Sequence, residues 1–91
     1  MISIIIPVYN EEKFIKEILN KINNVKELDK EVIVVNDCSN DDTLNILKNE
    51  CRHLFSKLVS NKKNMGKGFS VRQGIKHVNG EIIIIQDADL E

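Results

Sequence analysis

Isoleucine at four consecutive positions, Ile82 to Ile85, is the feature that most limits how this chain can fold. Successive side chains of a strand point to opposite faces, so a strand with one wet face alternates apolar and polar residues. A strand apolar at every position is built for burial on both faces, the condition found in parallel sheets covered by helices. Two other runs read the same way: ISIII over residues 2–6, closed by Pro7, and EVIVVND over residues 31–37. KLVSN, over residues 57–61, is a shorter run and the third strand in chain order, which makes the isoleucine run the fourth.

The segments between these runs carry helical periodicity. In NEEKFIKEILNKINN the apolar residues Phe14, Ile15, Ile18, Leu19 and Ile22 share one face, with Asn10 as N-cap and Glu11 and Glu12 in the first turn. DDTLNILKNECRHLF aligns Leu44, Leu47, Cys51 and Leu54 on one stripe. A third helix is predicted from about Gly68 to Val78, with Val71, Ile75 and Val78 on its buried face and Asn79-Gly80 as its stop. The predicted order is βαβαβαβ, an α/β fold, and 91 residues suffice for one domain. Neither an internal repeat nor a low-complexity linker interrupts it.

Charge and composition exclude several function classes. With 13 basic and 14 acidic residues and a net charge of −1, the chain lacks the electrostatic footprint of a duplex binder. Three Phe and one Tyr are too few to stack single-stranded bases, so no nucleic-acid partner is expected. No apolar run approaches the roughly 18 residues of a membrane span, and the N-terminus lacks the pattern of a signal peptide, so a soluble, cytoplasmic chain is expected. Cys38 and Cys51 form no framework or metal knuckle and are expected to be reduced thiols, Cys38 non-catalytic for want of a basic neighbour.

Each predicted strand is followed by a cluster of polar or conformationally special residues: PVYNE, NDCSNDD, NKKNMGKG and DADLE. Open parallel sheets bind ligands beyond the carboxyl ends of their strands, so four loops would converge on one rim. No GxGxxG follows the first strand and no GxxxxGK[ST] occurs anywhere, which excludes two phosphate-binding fingerprints. Gly66-Lys67-Gly68 could offer backbone donors and an ammonium to a phosphate, or could be an ordinary turn with Lys67 in solvent. Asp87 and Asp89 flank Ala88, a spacing at which two carboxylates can reach one hard divalent cation; the alternative is a solvated acidic stretch. Tyr9 can be packing, and Asp37 can cap the next helix, beside whose N-terminus Asp41 and Asp42 also fall.

Taken in order, SIIIPVYNEE, VIVVNDCSNDDT, NMGKGFSVRQGI and GEIIIIQDADLE resemble the N-terminal half of the nucleotide-sugar-dependent glycosyltransferases of family 2, which have the GT-A fold. PVYNE, NxGKG and DADLE look most like the dolichyl- or polyprenyl-phosphate sugar transferase branch. The resemblance implies a Rossmann-like parallel sheet of about four strands in the order 3-2-1-4, with three helices distributed over both faces. It implies that Pro7, Val8, Tyr9 and Glu11 line the base and ribose, that Asp37 hydrogen-bonds the base, and that Lys67 and Arg72 lie near the nucleotide. Asp87 would serve both nucleotide and metal, joining Asp89 and Glu91 around Mg2+ or Mn2+. The activity implied is inverting transfer from a UDP- or GDP-sugar to a lipid phosphate or glycan acceptor, at the inner face of the membrane.

The chain departs from the family where DDGS is usual and Asn36-Asp37-Cys38-Ser39 stands instead. Asn36 keeps an acceptor; Cys38 replaces a glycine and is expected to resist a positive φ, and Asp42 also replaces a common glycine. In the family the acceptor half and the general base lie C-terminal to the DxD pair, so residues 1–91 are expected to be a truncated nucleotide-sugar-binding subdomain, inactive alone. Its fourth strand would then be an exposed edge through which the chain self-associates. A non-catalytic binding or assembly module is the alternative. A phospho-acceptor receiver would need an Asp after the third strand, where Asn61-Lys62-Lys63 stands.

Overall fold

A computed structural model describes residues 1–88. Its elements are β1 (Ile2–Val8), α1 (Ile15–Asn23), β2 (Lys30–Asn36), α2 (Thr43–Glu50), a 3-10 turn (Arg52–Leu54), β3 (Lys57–Ser60), α3 (Lys67–Ile75) and β4 (Ile82–Ile85). The strands form one parallel sheet in the order β3-β2-β1-β4, as the resemblance implied. Asp89 and Glu91, two of the three expected metal ligands, lie outside the described residues.

Strand alternation divides the core in two. Ile4, Ile6 and Val8 of β1 and Val32 and Val34 of β2 pack with Ile15 and Leu19 of α1, with Leu47 of α2, and with Cys51 and Leu54. Ile5, Ile33 and Val35 point the other way, where they meet Val59 and Val78. Helix α3 covers that second face, crossing so closely that a Cβ on Gly74 would lie 2.7 Å from Cγ2 of Ile5. Right-handed crossovers account for the division of helices.

Close approach decides which residues of α3 face the sheet. Its buried residues are Ser70 and Gly74, one turn apart, whereas Ile75 is 45% exposed. The periodicity of Val71 and Ile75 therefore pointed to the wrong face, whereas Val78, beyond the helix end, packs against the core as expected. Only small side chains fit where Ile5 projects from the sheet, and hydrophobicity carries no information about that distance.

Pro7 lies inside β1, opposite Val35, instead of closing the strand. Along a parallel strand the backbone groups of alternate residues serve alternate neighbours. The Val8 carbonyl accepts from Asp37 N–H on the β2 side, and the Ile5 carbonyl accepts from Gln86 N–H on the β4 side. Pro7 shares parity with Ile5, so its missing donor falls where β4 has already ended, and no ladder bond is lost.

Helix α1 begins later than its sequence suggested. Asn10 does not cap it but adopts φ 53°, a left-handed conformation that Asn tolerates better than most residues. A turn over Glu11 to Phe14 leads into Ile15, and Phe14 is 40% exposed. Cys51 and Leu54 are buried as expected, but through the 3-10 turn, since α2 ends at Glu50.

The amino ends of the strands are held by a buried carboxylate. Glu31 accepts from the Ser3 hydroxyl, from Asn79 N–H and from Asn79 Nδ2, while Gly80 N–H donates to Ser3 Oγ. This network ties the α3–β4 connection to β1 and β2, opposite the rim expected to carry the site. Strand β4 itself remains open: Ile82 to Ile85 are 58, 41, 41 and 40% exposed.

Candidate functional site

At the carboxyl end of β2 the chain runs into Asp37, which is 4% exposed and accepts four nitrogen donors on its carboxylate. Asn61 Nδ2 and Met65 N–H reach Oδ1, both at 2.8 Å; Asn64 Nδ2 and Gly66 N–H reach Oδ2, at 2.9 and 2.8 Å. A carboxylate has about four acceptor sites, so this one is saturated by the loop between β3 and α3. Burial alone would raise the Asp37 pKa, but the donors from Met65, Asn61 and Gly66 outweigh it and hold the carboxyl below its ordinary value. The negative charge thereby fixes the start of α3. Gly66, at φ 95°, makes the turn that a side chain would hinder, and Lys67 is the first helical residue.

A second clasp joins the loops after β1 and β2. Asn10 N–H donates to Ser39 Oγ, Asn40 N–H to Asn10 Oδ1, and Glu11 N–H to Thr43 Oγ1. Asp41 accepts from the Thr43 hydroxyl and N–H and from Glu12 N–H; these outweigh its burial and lower its pKa. Asn36 uses its side-chain oxygen to accept from Ser39 N–H and Oγ, the acceptor role expected of it. Cys38 adopts φ 59° despite replacing a glycine, contrary to expectation. For a non-glycine residue that conformation costs about 1–2 kcal/mol, borne by the surrounding clasp. Both thiols are free, and burial pushes that of Cys51 up, away from reactivity.

Between these clasps lies an open cleft of about 150 Å3, lined by Pro7, Val8, Tyr9, Glu11, Asp37, Lys67, Ser70, Asp87 and Ala88. Seven of the eight nucleotide-site residues suggested by sequence line it together: Pro7, Val8, Tyr9, Glu11, Asp37, Lys67 and Asp87. They come from the end of β1, three loops and a helix start, separated by up to 80 positions, and only the sheet brings them together. The eighth, Arg72, is exposed one turn along α3, with its guanidinium 3.7 Å from the position of a Cβ on Gly68, and does not line the cleft. Ser70 was not anticipated. It is fully buried, accepts from Asn61 Nδ2 at 3.0 Å, and shares the inner face of α3 with Gly74; its one signal was a small residue three positions after Lys67.

One wall of the cleft is cationic and the other anionic. Lys67 Nζ lies 2.5 Å from Asp87 Oδ1, bridging the start of α3 to the segment after β4. Among the described residues no group of three or more His, Cys, Asp or Glu side chains is placed to hold a metal ion, and no helix is long and apolar enough to cross a membrane. The arrangement offers a tyrosine ring, backbone at a helix start, the Lys67 ammonium and the carboxylates of Glu11, Asp37 and Asp87, of which Asp37 is already saturated by its loop. Those groups suit a ligand that is part planar and apolar, part anionic.

Residues 3–91 match the family described as Glycosyl transferase family 2. The dolichyl-phosphate beta-glucosyltransferase ALG5A of Trichomonas vaginalis is 37% identical over 99 residues, covering 97% of this chain and 30% of that protein. Among solved structures, TarS 1–349 of S. aureus in complex with UDP superposes with a TM-score of 0.86 at 33% identity, over 97% of this chain and 27% of the other. The mannosyltransferase PcManGT of Pyrobaculum calidifontis, in complex with GDP-Man and Mn2+, gives 0.87 at 31% identity, over 97% and 27% respectively. The two solved structures have the GT-A fold, and this chain spans less than a third of the length of each of the three proteins.

Proposed function

The chain belongs to glycosyl transferase family 2, and on that premise we propose that its cleft binds the nucleoside diphosphate of a UDP- or GDP-sugar, as the donor part of an inverting transfer to a lipid phosphate or glycan acceptor. One observation carries the reading: Pro7, Val8, Tyr9, Glu11, Asp37, Lys67 and Asp87, scattered in sequence, line a single cleft beyond the strand ends. The UDP bound to TarS, the GDP-Man and Mn2+ bound to PcManGT, and the dolichyl phosphate in the name of the Trichomonas relative support the ligand classes. The proposed setting is the cytoplasmic face of a membrane.

In this reading the base and ribose lie along Pro7, Val8 and Tyr9, with Glu11 and Asp37 at their polar edges. The diphosphate lies toward the start of α3, where Lys67 supplies positive charge and the helix start supplies N–H donors. The donor chemistry of the cleft fits Mg2+ or Mn2+, since Asp87 offers hard oxygen ligands beside the proposed diphosphate, and such ions are often held by one or two carboxylates plus phosphates. Asp87 would hold the ion with Asp89 and Glu91, and the ion would neutralise charge developing on the departing diphosphate. Lys67 contributes to the same task from the opposite wall, and the saturated Asp37 keeps the helix start in position. No described residue is assigned as general base, and the acceptor site is proposed to belong to the longer enzyme.

Isothermal titration of the 91-residue chain with UDP and GDP, with and without Mn2+, tests the reading. Metal-dependent binding of one nucleotide is expected; no binding to a chain shown folded by circular dichroism would overturn it. The second reading, a non-catalytic binding or assembly module, draws on the open β4 edge, whose four isoleucines are each at least 40% exposed. An edge of this kind offers unpaired backbone groups to a second copy, and self-association is expected. Sedimentation velocity should show a weight-average mass rising with concentration, and a strict monomer of 10.4 kDa at high concentration would refute it.

A further inference from the structure

The ion pair across the cleft joins two groups that the proposed ligands need separately. Lys67 opens α3 directly after the left-handed Gly66, and its position is fixed from below by the Asp37 clasp. Gln86 N–H still bonds the Ile5 carbonyl, so Asp87 is the first residue clear of the sheet. Their side chains meet at 2.5 Å while remaining 59 and 57% exposed. An ion pair that wet is weak and exchanges readily. It nevertheless sets the ammonium in competition with a divalent cation for this carboxylate.

Resting on the nucleotide-sugar reading, we propose that Lys67 is the resident counter-ion of Asp87 in the empty cleft and passes to the diphosphate when the nucleotide binds. The exchange makes metal and nucleotide bind with positive coupling. A cation arriving alone competes with a tethered ammonium for Asp87. A nucleoside diphosphate draws that ammonium to itself, which frees the carboxylate for the cation and leaves no charge in the cleft without a partner. Coupling of this kind is reciprocal, so the cation tightens the nucleotide by the same factor as the nucleotide tightens the cation. Lys67 is thereby a positioning residue that directs the metal to the carboxylate only with its diphosphate.

The test uses the 91-residue chain, with free Mn2+ measured by electron paramagnetic resonance in the absence and presence of UDP or GDP. Lys67→Met is expected to bind Mn2+ alone about fivefold more tightly than the unaltered chain, the range open to an exposed pair. The nucleotide should then tighten Mn2+ binding less in Lys67→Met than in the unaltered chain. Lys62→Met, which removes an equal charge from the neighbouring loop outside the cleft, controls for general electrostatics and should leave Mn2+ affinity unchanged. Equal Mn2+ affinity in the unaltered chain and Lys67→Met, or an equal gain in Lys62→Met, overturns the exchange while leaving the nucleotide site standing. Absence of Mn2+ binding in every chain, with nucleotide present and the fold intact, overturns both.

Discussion

Asp37→Ala is expected to lower the stability of the chain by about 3 kcal/mol, since four N–H donors lose a charged acceptor in a part-buried place. For a domain of this size that corresponds to a fall in melting temperature of roughly 12–24 °C. Asp37→Asn should rescue little, because its amide nitrogen would face two of the same donors. Thermal denaturation followed by circular dichroism measures the loss. Nucleotide binding should fall as well, because the start of α3 is held by this carboxylate. A melting temperature within a few degrees of the unaltered chain would show that the clasp holds nothing. The pH dependence follows from the lowered pKa. The folded carboxyl sits below its ordinary value of 3.8, so its contribution is present above that pH and is lost as the pH falls through the folded value.

Replacement of Glu31 strikes the other end of the sheet. Glu31→Ala leaves the Ser3 hydroxyl, Asn79 N–H and Asn79 Nδ2 without their acceptor, and a loss of about 2 kcal/mol is expected. The Ser3 hydroxyl, followed by Asn79 N–H, holds the Glu31 pKa below its ordinary value of 4.5, against the upward push of burial. Stabilisation by Glu31 is therefore full above pH 4.5 and fades as the pH falls through its folded pKa. In urea titrations, the gap between the unaltered chain and Glu31→Gln should narrow from pH 6 toward acid. A gap constant with pH would mean that folding leaves the Glu31 pKa where it is in the unfolded chain. Nucleotide binding by the folded fraction should survive, since this network lies away from the cleft; that separates it from Asp37.

The strand runs and their helical spacers were legible because burial on two faces demands unbroken apolar sequence, and because Ile15, Ile18 and Leu19 repeat at helical spacing. The rim was legible as a set of loops, since polar clusters at strand ends have few structural reasons to recur. What misled was local chemistry with two uses. Asn10 reads as an N-cap, yet its side chain accepts from Asn40 and its backbone takes the turn between loops. Asp37 reads as a helix cap, yet its carboxylate is taken by the loop some 24 to 29 positions away. Val71 and Ile75 read as the inner face of α3, yet a crossing set by Ile5 and Gly74 turns that face to Ser70.

The sequence by itself determined the parallel α/β class and which loops would gather at the rim. These follow from side-chain chemistry and chain order, which are local and additive along the sequence. Only the tertiary structure decided that Asp37 is saturated, that Ser70 belongs to the cleft and Arg72 stands outside it, and that Lys67 faces Asp87. Each of these depends on distances between segments far apart in the chain, fixed by helix-to-sheet packing and competition among hydrogen-bond donors. A one-dimensional pattern does not encode those distances.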